Sequence, residues 1–419
     1  MTAHAFSFVF IAFLVFSTGL QLWLKGRHLR HIVAHRAAVP ADFAGDITLE
    51  EHQKAADYTA AKVRFARVAI AWDAFILLEF TRGGVIAWLD SVAHHLAGQG
   101  IAAGLVLVAG VSLVSGLLGL PFLIYSTFVL EARFGFNKQT PMLFVVDLIK
   151  STLLGAALGL PLVALVLWLM NAAGPMWWLY AWAAWVAFGV LMMAIYPTVI
   201  APLFNKFTPL ADEGLKARID ALLTKCGFAS NGVFVMDGSK RSSHGNAYFT
   251  GFGKTKRIVF FDTLVERLQP LEVEAVLAHE LGHYKRRHVI KRMVVMYVLG
   301  LVTMAVLGYL KGSDWFYAGL GVAQPSTAAA LVLFFLVLGT FTFPFAWLAS
   351  RTSRKHEYEA DAYAAEVSSA DALVSGLVKL YRDNASTLTP DPIHSLFYDS
   401  HPPASLRITA LRASGKVAG

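Results

Sequence analysis

The chain of 419 residues has one cysteine and few charges. A lone Cys226, in LLTKCGFAS, excludes an internal disulfide, and the absence of a Cys-x-x-Cys pair excludes a thiolate metal site. It reads as a small buried or half-buried thiol. Charged residues make up only 15%, where soluble domains carry about 25%. That shortage argues against the two or three soluble domains the length would allow. No basic stretch interleaved with aromatics is present, so the net charge of +8 does not mark a nucleic-acid partner. Internal repeats and low-complexity tracts are also lacking, which excludes a solenoid.

What is abundant is apolar. The chain is 56% hydrophobic with a mean hydropathy of +0.55. A hydrocarbon core needs about 20 apolar residues per helix. Seven stretches qualify: 6–24, 67–89, 101–130, 143–170, 175–204, 289–310 and 326–348. The first lacks a basic leading region and a small-residue cleavage site, and its basic residues Lys25, Arg27 and Arg30 follow it. It reads as an uncleaved anchor with its N-terminus outside. Lys and Arg then collect in alternate connections, in 25–66 and 131–142 but not near 90–100 or 171–174. By the positive-inside rule the insert 205–288 and the tail from 349 face the cytosol. Four regions follow: 1–204 with five spans, 205–288 as a cytosolic insert, 289–348 with two spans, and 349–419 as a cytosolic C-terminal part.

The expected fold is therefore a mainly α membrane protein with a cytosolic α+β part. Within the insert, GVFVMD and RIVFFDT are β-branched and aromatic-rich and read as strands. LEVEAVLAHELGHYKRRH reads as a helix opened by Pro270. Asp73 and Glu79 in the second span, and Asp147 and Lys150 in the fourth, either line a wet cavity or pair locally. The stretch KRRHVIKR, 285–292, reads as an interfacial anchor or a site for an anionic headgroup or carboxylate.

His279-Glu280-x-x-His283 lies on that helix. Residues four apart share a face, so two imidazoles converge on one point, as one zinc ion per chain requires. Glu280 lies within reach of a water on the metal and can take its proton. Gly282 keeps the facing side of the helix low. A surface histidine pair or a structural metal fits the same spacing. A catalytic zinc wants a third protein ligand. The helical segment SRTSRKHEYEADAYAAE carries Glu357 and Asp361, four apart, one for the metal and one to orient a ligand histidine. His283 precedes one span by six residues and Glu357 follows the next by nine. Both sites then stand on the order of 10–15 Å from the membrane core, and sequential helices joined by a short loop pack together.

Beyond HELGH and EYEAD, the chain resembles the CAAX prenyl protease type I family of integral-membrane zinc endopeptidases. EARFGFNKQTP (131–141), IAPLFNKFTPL (200–210), SSHGNAYFTGFGKTKRIVFFDTL (242–264), HEYEADAYA (356–364) and DSHPPASLRI (399–408) carry the likeness. The resemblance implies seven helices enclosing a chamber, and a substrate lying along a strand edge beside zinc. It implies His279, His283 and Glu357 as zinc ligands, Glu280 as general base and Asp361 behind a ligand. It places Asn246 beside the substrate strand, and His401 and Arg407 near the reacting carbonyl. His401 is expected to stabilise the oxyanion, with capping of the following helix as its other reading. Arg407 reads equally as an ion-pair partner. The partners expected are the lipid bilayer and a peptide or protein, prenylated or not. The C-terminal RASGKVAG carries no endoplasmic-reticulum retention signal. The alanine-rich composition favours a bacterial inner membrane over the reticulum of a eukaryote. Two other functions fit the same residues: a quality-control protease for membrane proteins, and a transporter or channel with a regulatory zinc. The last would leave Glu280 dispensable.

Overall fold

The computed structural model describes residues 1–251 and 256–413. The middle of the expected GFGKTK connection and most of RASGKVAG lie outside the described residues. The chain opens with α1 (Ala3–Ala34), capped by the Thr2 hydroxyl, and α2 (Leu49–Thr81), opened by a capping box of Thr48 and Glu51. Next come α3 (Val85–Ala97), α4 (Ile101–Tyr125), α5 (Pro141–Ala172) and α6 (Trp177–Ile195). Both α4 and α6 run on into a π-helical turn.

The insert contains β1 (Phe207–Pro209), α7 (Glu213–Cys226), β2 (Val233–Met236), β3 (Ala247–Thr250) and β4 (Arg257–Phe261). It continues with α8 (Asp262–Val265) and α9 (Pro270–Lys285). The rest is helical: α10 (His288–Lys311), α11 (Asp314–Gly319), α12 (Thr327–Thr342), α13 (Ala346–Val367), α14 (Ala370–Asp383), α15 (Pro392–Tyr398) and α16 (Ala404–Ala413). The two strands expected at GVFVMD and RIVFFDT are β2 and β4.

Six helices among the described residues are long and apolar enough to cross a membrane: 3–34, 101–131, 141–172, 174–203, 288–311 and 327–367. They match six of the seven expected spans. The remaining stretch, 67–89, is split. Its first part ends α2 at Thr81, and α3 begins beyond Gly83 and Gly84, the latter left-handed at φ 84°. The apolar part of α2 carries Arg64, Arg67, Asp73 and Glu79, so it falls short on apolarity, not on length.

The spans are packed unevenly. Their buried residues include Phe6 and Phe10 of α1, Leu107 of α4, Leu167 of α5, Leu307 of α10 and Leu333 of α12. By the alternation of the helices these all lie toward the end remote from the insert. The halves nearer the insert leave large apolar side chains uncovered, among them Leu123, Ile149, Val199 and Val295. In five of the six spans only 11–22% of the most apolar window is buried. The buried core of the spans is therefore gathered at the end remote from the insert.

The insert and the tail build one second core. A four-stranded sheet, ordered β1-β2-β4-β3, pairs β2 parallel to β4 and has β1 and β3 as antiparallel edges. Ile258 and Phe260 of β4, Ile219 of α7, Val273 and Leu277 of α9 and Leu373 of α14 are buried together. Asp147 of α5 ties this core to the spans through a bidentate ion pair with Arg241, at 2.8 and 2.9 Å, and not through Lys150. The Lys150 amine donates instead to the Leu203 carbonyl at 3.0 Å.

Glu272 fastens α9 to α14. It is buried, accepts from Lys379 at 2.7 Å and Ser375 at 2.6 Å, and closes the capping box with Gln269. Burial alone would raise its carboxyl, but the bonds to Lys379 and Ser375 hold it below the ordinary value. A carboxyl depressed by folding stabilises the native state above its unfolded pKa, and that contribution is lost as pH falls through the folded one. Glu272→Ala is expected to cost about 2–4 kcal/mol at neutral pH. The gap to wild type in thermal melts should close below about pH 4.

Candidate metal centre

The site forms where α9 meets α13. Pro270 at the first helical position and the Gln269–Glu272 capping box start α9. His279 and His283 then point from one face, both buried. After α12 the chain makes a single tight turn at Phe343–Phe345, with Pro344 in the break, and resumes as α13. The two helices touch at Gly282. A Cβ there would lie 2.9 Å from the Ala360 Cα and 3.0 Å from its carbonyl oxygen. Only glycine lets the backbones approach so closely, and that brings Glu357 against the histidines.

The three side chains form a triangle. His279 Nε2 and His283 Nε2 are 3.2 Å apart. Glu357 presents Oε1 at 3.3 Å to His283 and Oε2 at 3.4 Å to His279. Their ligand atoms lie within 4.8 Å of one another. A tetrahedral zinc bound at about 2.0–2.1 Å sets its ligand atoms about 3.3 Å apart. The donor set, two imidazoles and a carboxylate, also suits zinc. Both spacing and chemistry thus fit the ion.

Asp361, one turn after Glu357, accepts from His279 Nδ1 at 2.8 Å. Arg407 of α16 grips the same carboxylate with two bonds, Nε to Oδ2 at 2.7 Å and Nη2 to Oδ1 at 2.5 Å. The guanidinium is buried behind the histidine, 4.0 Å from Glu357. This is the ion-pair geometry, not an open face toward a carbonyl. Burial pushes the His279 imidazole down, but the bonds to Asp361 and Glu357 outweigh it and lift it to about 9. A metal entering the site displaces that proton.

Glu280 is half-buried and, among the described residues, makes no hydrogen bond or ion pair. His401 is 61% exposed along its side chain, and its Nδ1 stands 2.7 Å from Glu357 Oε2. Asn246 is exposed at the entry to edge strand β3. Its side-chain oxygen accepts from the Ala247 N–H at 2.8 Å, and its carbonyl accepts from the Phe261 N–H at 2.9 Å. Strand β3 packs against α9, so an open sheet edge runs beside the histidine helix.

One further group carries no signal in the residue pattern. His288, inside the basic stretch read as an interfacial anchor, is fully buried beneath His283, with its Nδ1 3.0 Å from the His283 Nδ1. In a continuous helix a residue five positions on lies about 140° round the axis. No periodicity would have found it.

Apolar spans beside a buried His–His–Glu triangle of HExxH spacing fit a membrane metallopeptidase. Comparison with known proteins places it more narrowly. Residues 28–206 match the family described as CAAX prenyl protease N-terminal, five membrane helices, and residues 209–414 match peptidase family M48. A CAAX prenyl protease 1 homolog of Oryza sativa is 36% identical over 393 residues, covering 90% of this chain and 92% of that protein. The Homo sapiens homolog is 31% identical over 458 residues, covering 96% and 95%. The crystal structure of S. mikatae Ste24p superposes with a TM-score of 0.89 at 32% identity, covering 97% of this chain and 98% of that one. The chain belongs to peptidase family M48, in its CAAX prenyl protease 1 branch.

Gly282→Ala is expected to force α9 and α13 apart by a few tenths of an ångström, at about 1–3 kcal/mol. Bound zinc per chain, measured by metal analysis after dialysis against a weak chelator, should fall well below wild type. Full retention would show that the close approach does not set the triangle.

Proposed function

We propose that the protein is a zinc-dependent endopeptidase that cleaves peptides near their C-terminus, prenylated CAAX-type peptides among them, at the cytosolic face of the membrane. The observation that carries the reading is the triangle of 3.2–3.4 Å edges formed by His279, His283 and Glu357. The names of the relatives support the substrate class. Lys and Arg in alternate loops support the cytosolic side. The alanine-rich composition supports a bacterial inner membrane as its location.

Zinc, when bound, supplies Lewis acidity toward the scissile carbonyl and toward water. The residues of this chain do the rest. Glu280, free of other partners, takes the proton of the attacking water on a carboxylate oxygen and returns it to the leaving amine nitrogen. His401, on the exposed side of Glu357, offers a ring N–H to the developing oxyanion. Asn246 and the open edge of β3 hold the substrate extended by backbone hydrogen bonds. Asp361 and Arg407 fix the ring of His279 so that Nε2 faces inward.

The test is paired. Wild type and Glu280→Ala, purified in detergent, are compared for bound zinc and for cleavage of a farnesylated CAAX-type peptide and its unprenylated twin. Both should hold about one zinc per chain, and the variant should lose about 10²–10⁴-fold in kcat. The ratio of the two peptides in wild type reports whether the lipid is read. Equal cleavage by variant and wild type would remove Glu280 from the mechanism and favour a transporter with a regulatory zinc. Cleavage of unfolded membrane proteins alone would favour a quality-control protease.

A further inference from the structure

Behind the second histidine of the triangle lies a relay that the motif does not contain. His288 is fully buried, its Nδ1 3.0 Å from His283 Nδ1 and its Nε2 2.8 Å from Glu359 Oε2. Across one hydrogen bond between two ring nitrogens, one must donate and the other accept. To serve as a ligand, His283 turns an unprotonated Nε2 toward the triangle, so its proton sits on Nδ1. His288 Nδ1 must then accept it. A neutral His288 carries its own proton on Nε2 and donates it to Glu359. Every ring nitrogen along the line has one consistent assignment.

The backbone is bent to make this line. Arg287 adopts φ 56°, ψ 34°, a left-handed conformation uncommon for a residue with a side chain. It ends the α9 turn and restarts the chain as α10, which swings His288 back under His283. Such a conformation persists only where its surroundings hold it. The ring of His288 is held in turn by stacking on His356, with centroids 4.0 Å apart and planes at 11°. Glu359 sits at the rim, its side chain 32% exposed, with Lys355 3.9 Å away.

We propose that His288 and Glu359 are positioning residues for zinc. They fix the tautomer and orientation of His283 as Asp361 and Arg407 fix those of His279. The inference rests on the zinc-peptidase reading and goes beyond its motif residues. The interposed imidazole has a reason in charge. Glu357 and Asp361 are already buried carboxylates at the centre. A third in direct contact with His283 would add a buried negative charge, whereas the relay leaves that charge on Glu359, in contact with water.

The test uses the full-length protein in detergent, with zinc affinity measured by competition against a chromophoric chelator. The melting temperature of the zinc-stripped protein is read alongside. His288→Leu, which removes the acceptor, is expected to weaken zinc binding about 10–100-fold. In His288→Asn a side-chain oxygen takes the place of Nδ1, and most of the affinity should return although Glu359 is out of reach. Glu359→Leu should weaken binding without lowering the melting temperature of the stripped protein, because its site is at the rim. A purely structural role would lower that melting temperature and leave the affinity of the folded protein unchanged, which would overturn the proposal. If His288→Leu fails to fold, Glu359→Leu decides: zinc affinity within twofold of a zinc-loaded wild type overturns the relay alone. A wild type that takes up no zinc overturns the peptidase reading and this inference with it.

Discussion

The close contact of α9 with α13 at Gly282 and Ala360 governs the rest of the structure. Two helix backbones meet there with no side chain between them. Ligands on separate helices converge on an ion only when the helices lie at one spacing, and a single added carbon would change it. The buried Glu272 cluster fastens α9 to α14, and the Asp147–Arg241 pair ties the insert to α5. The His–His–Glu triangle is thus a product of helix packing and not of a dedicated loop. A site built on rigid elements keeps its geometry better than one carried by a loop.

The architecture around the contact divides the labour. At the remote end the spans are sealed by a core of Phe, Leu and Ala side chains. Near the peptidase core large apolar residues stay uncovered. Polar ties join the halves, among them Arg241 reaching from the insert to Asp147 of α5 and Arg27 of α1 reaching to Asp391 in the tail.

Some of this was legible in the residues. His279 and His283 could be paired because helix periodicity is local, and Glu357 and Asp361 could be joined to them because both segments continue from neighbouring spans. Six spans were legible as unbroken apolar runs. The second was harder, since Gly83 and Gly84 divide it and Arg67, Asp73 and Glu79 dilute the part that belongs to α2. Strand β1, only three residues long, offered too short a pattern. Arg407 could be read two ways until its burial against Asp361 was seen. His288 was out of reach altogether, because its place depends on one left-handed residue and not on any repeat.

The order of the ligands along the chain has a consequence for synthesis. His279 and His283 precede two spans, and Glu357 follows the second of them. A ribosome-bound intermediate can display both histidines on a folded α9 and still lack the carboxylate that closes the triangle. Arg407, which steadies the first histidine, arrives later still. Completion of the site therefore waits until α10 and α12 are inserted and the tail has folded back against α9. A chain that has not yet passed α10 and α12 therefore lacks the carboxylate that completes its own peptidase site.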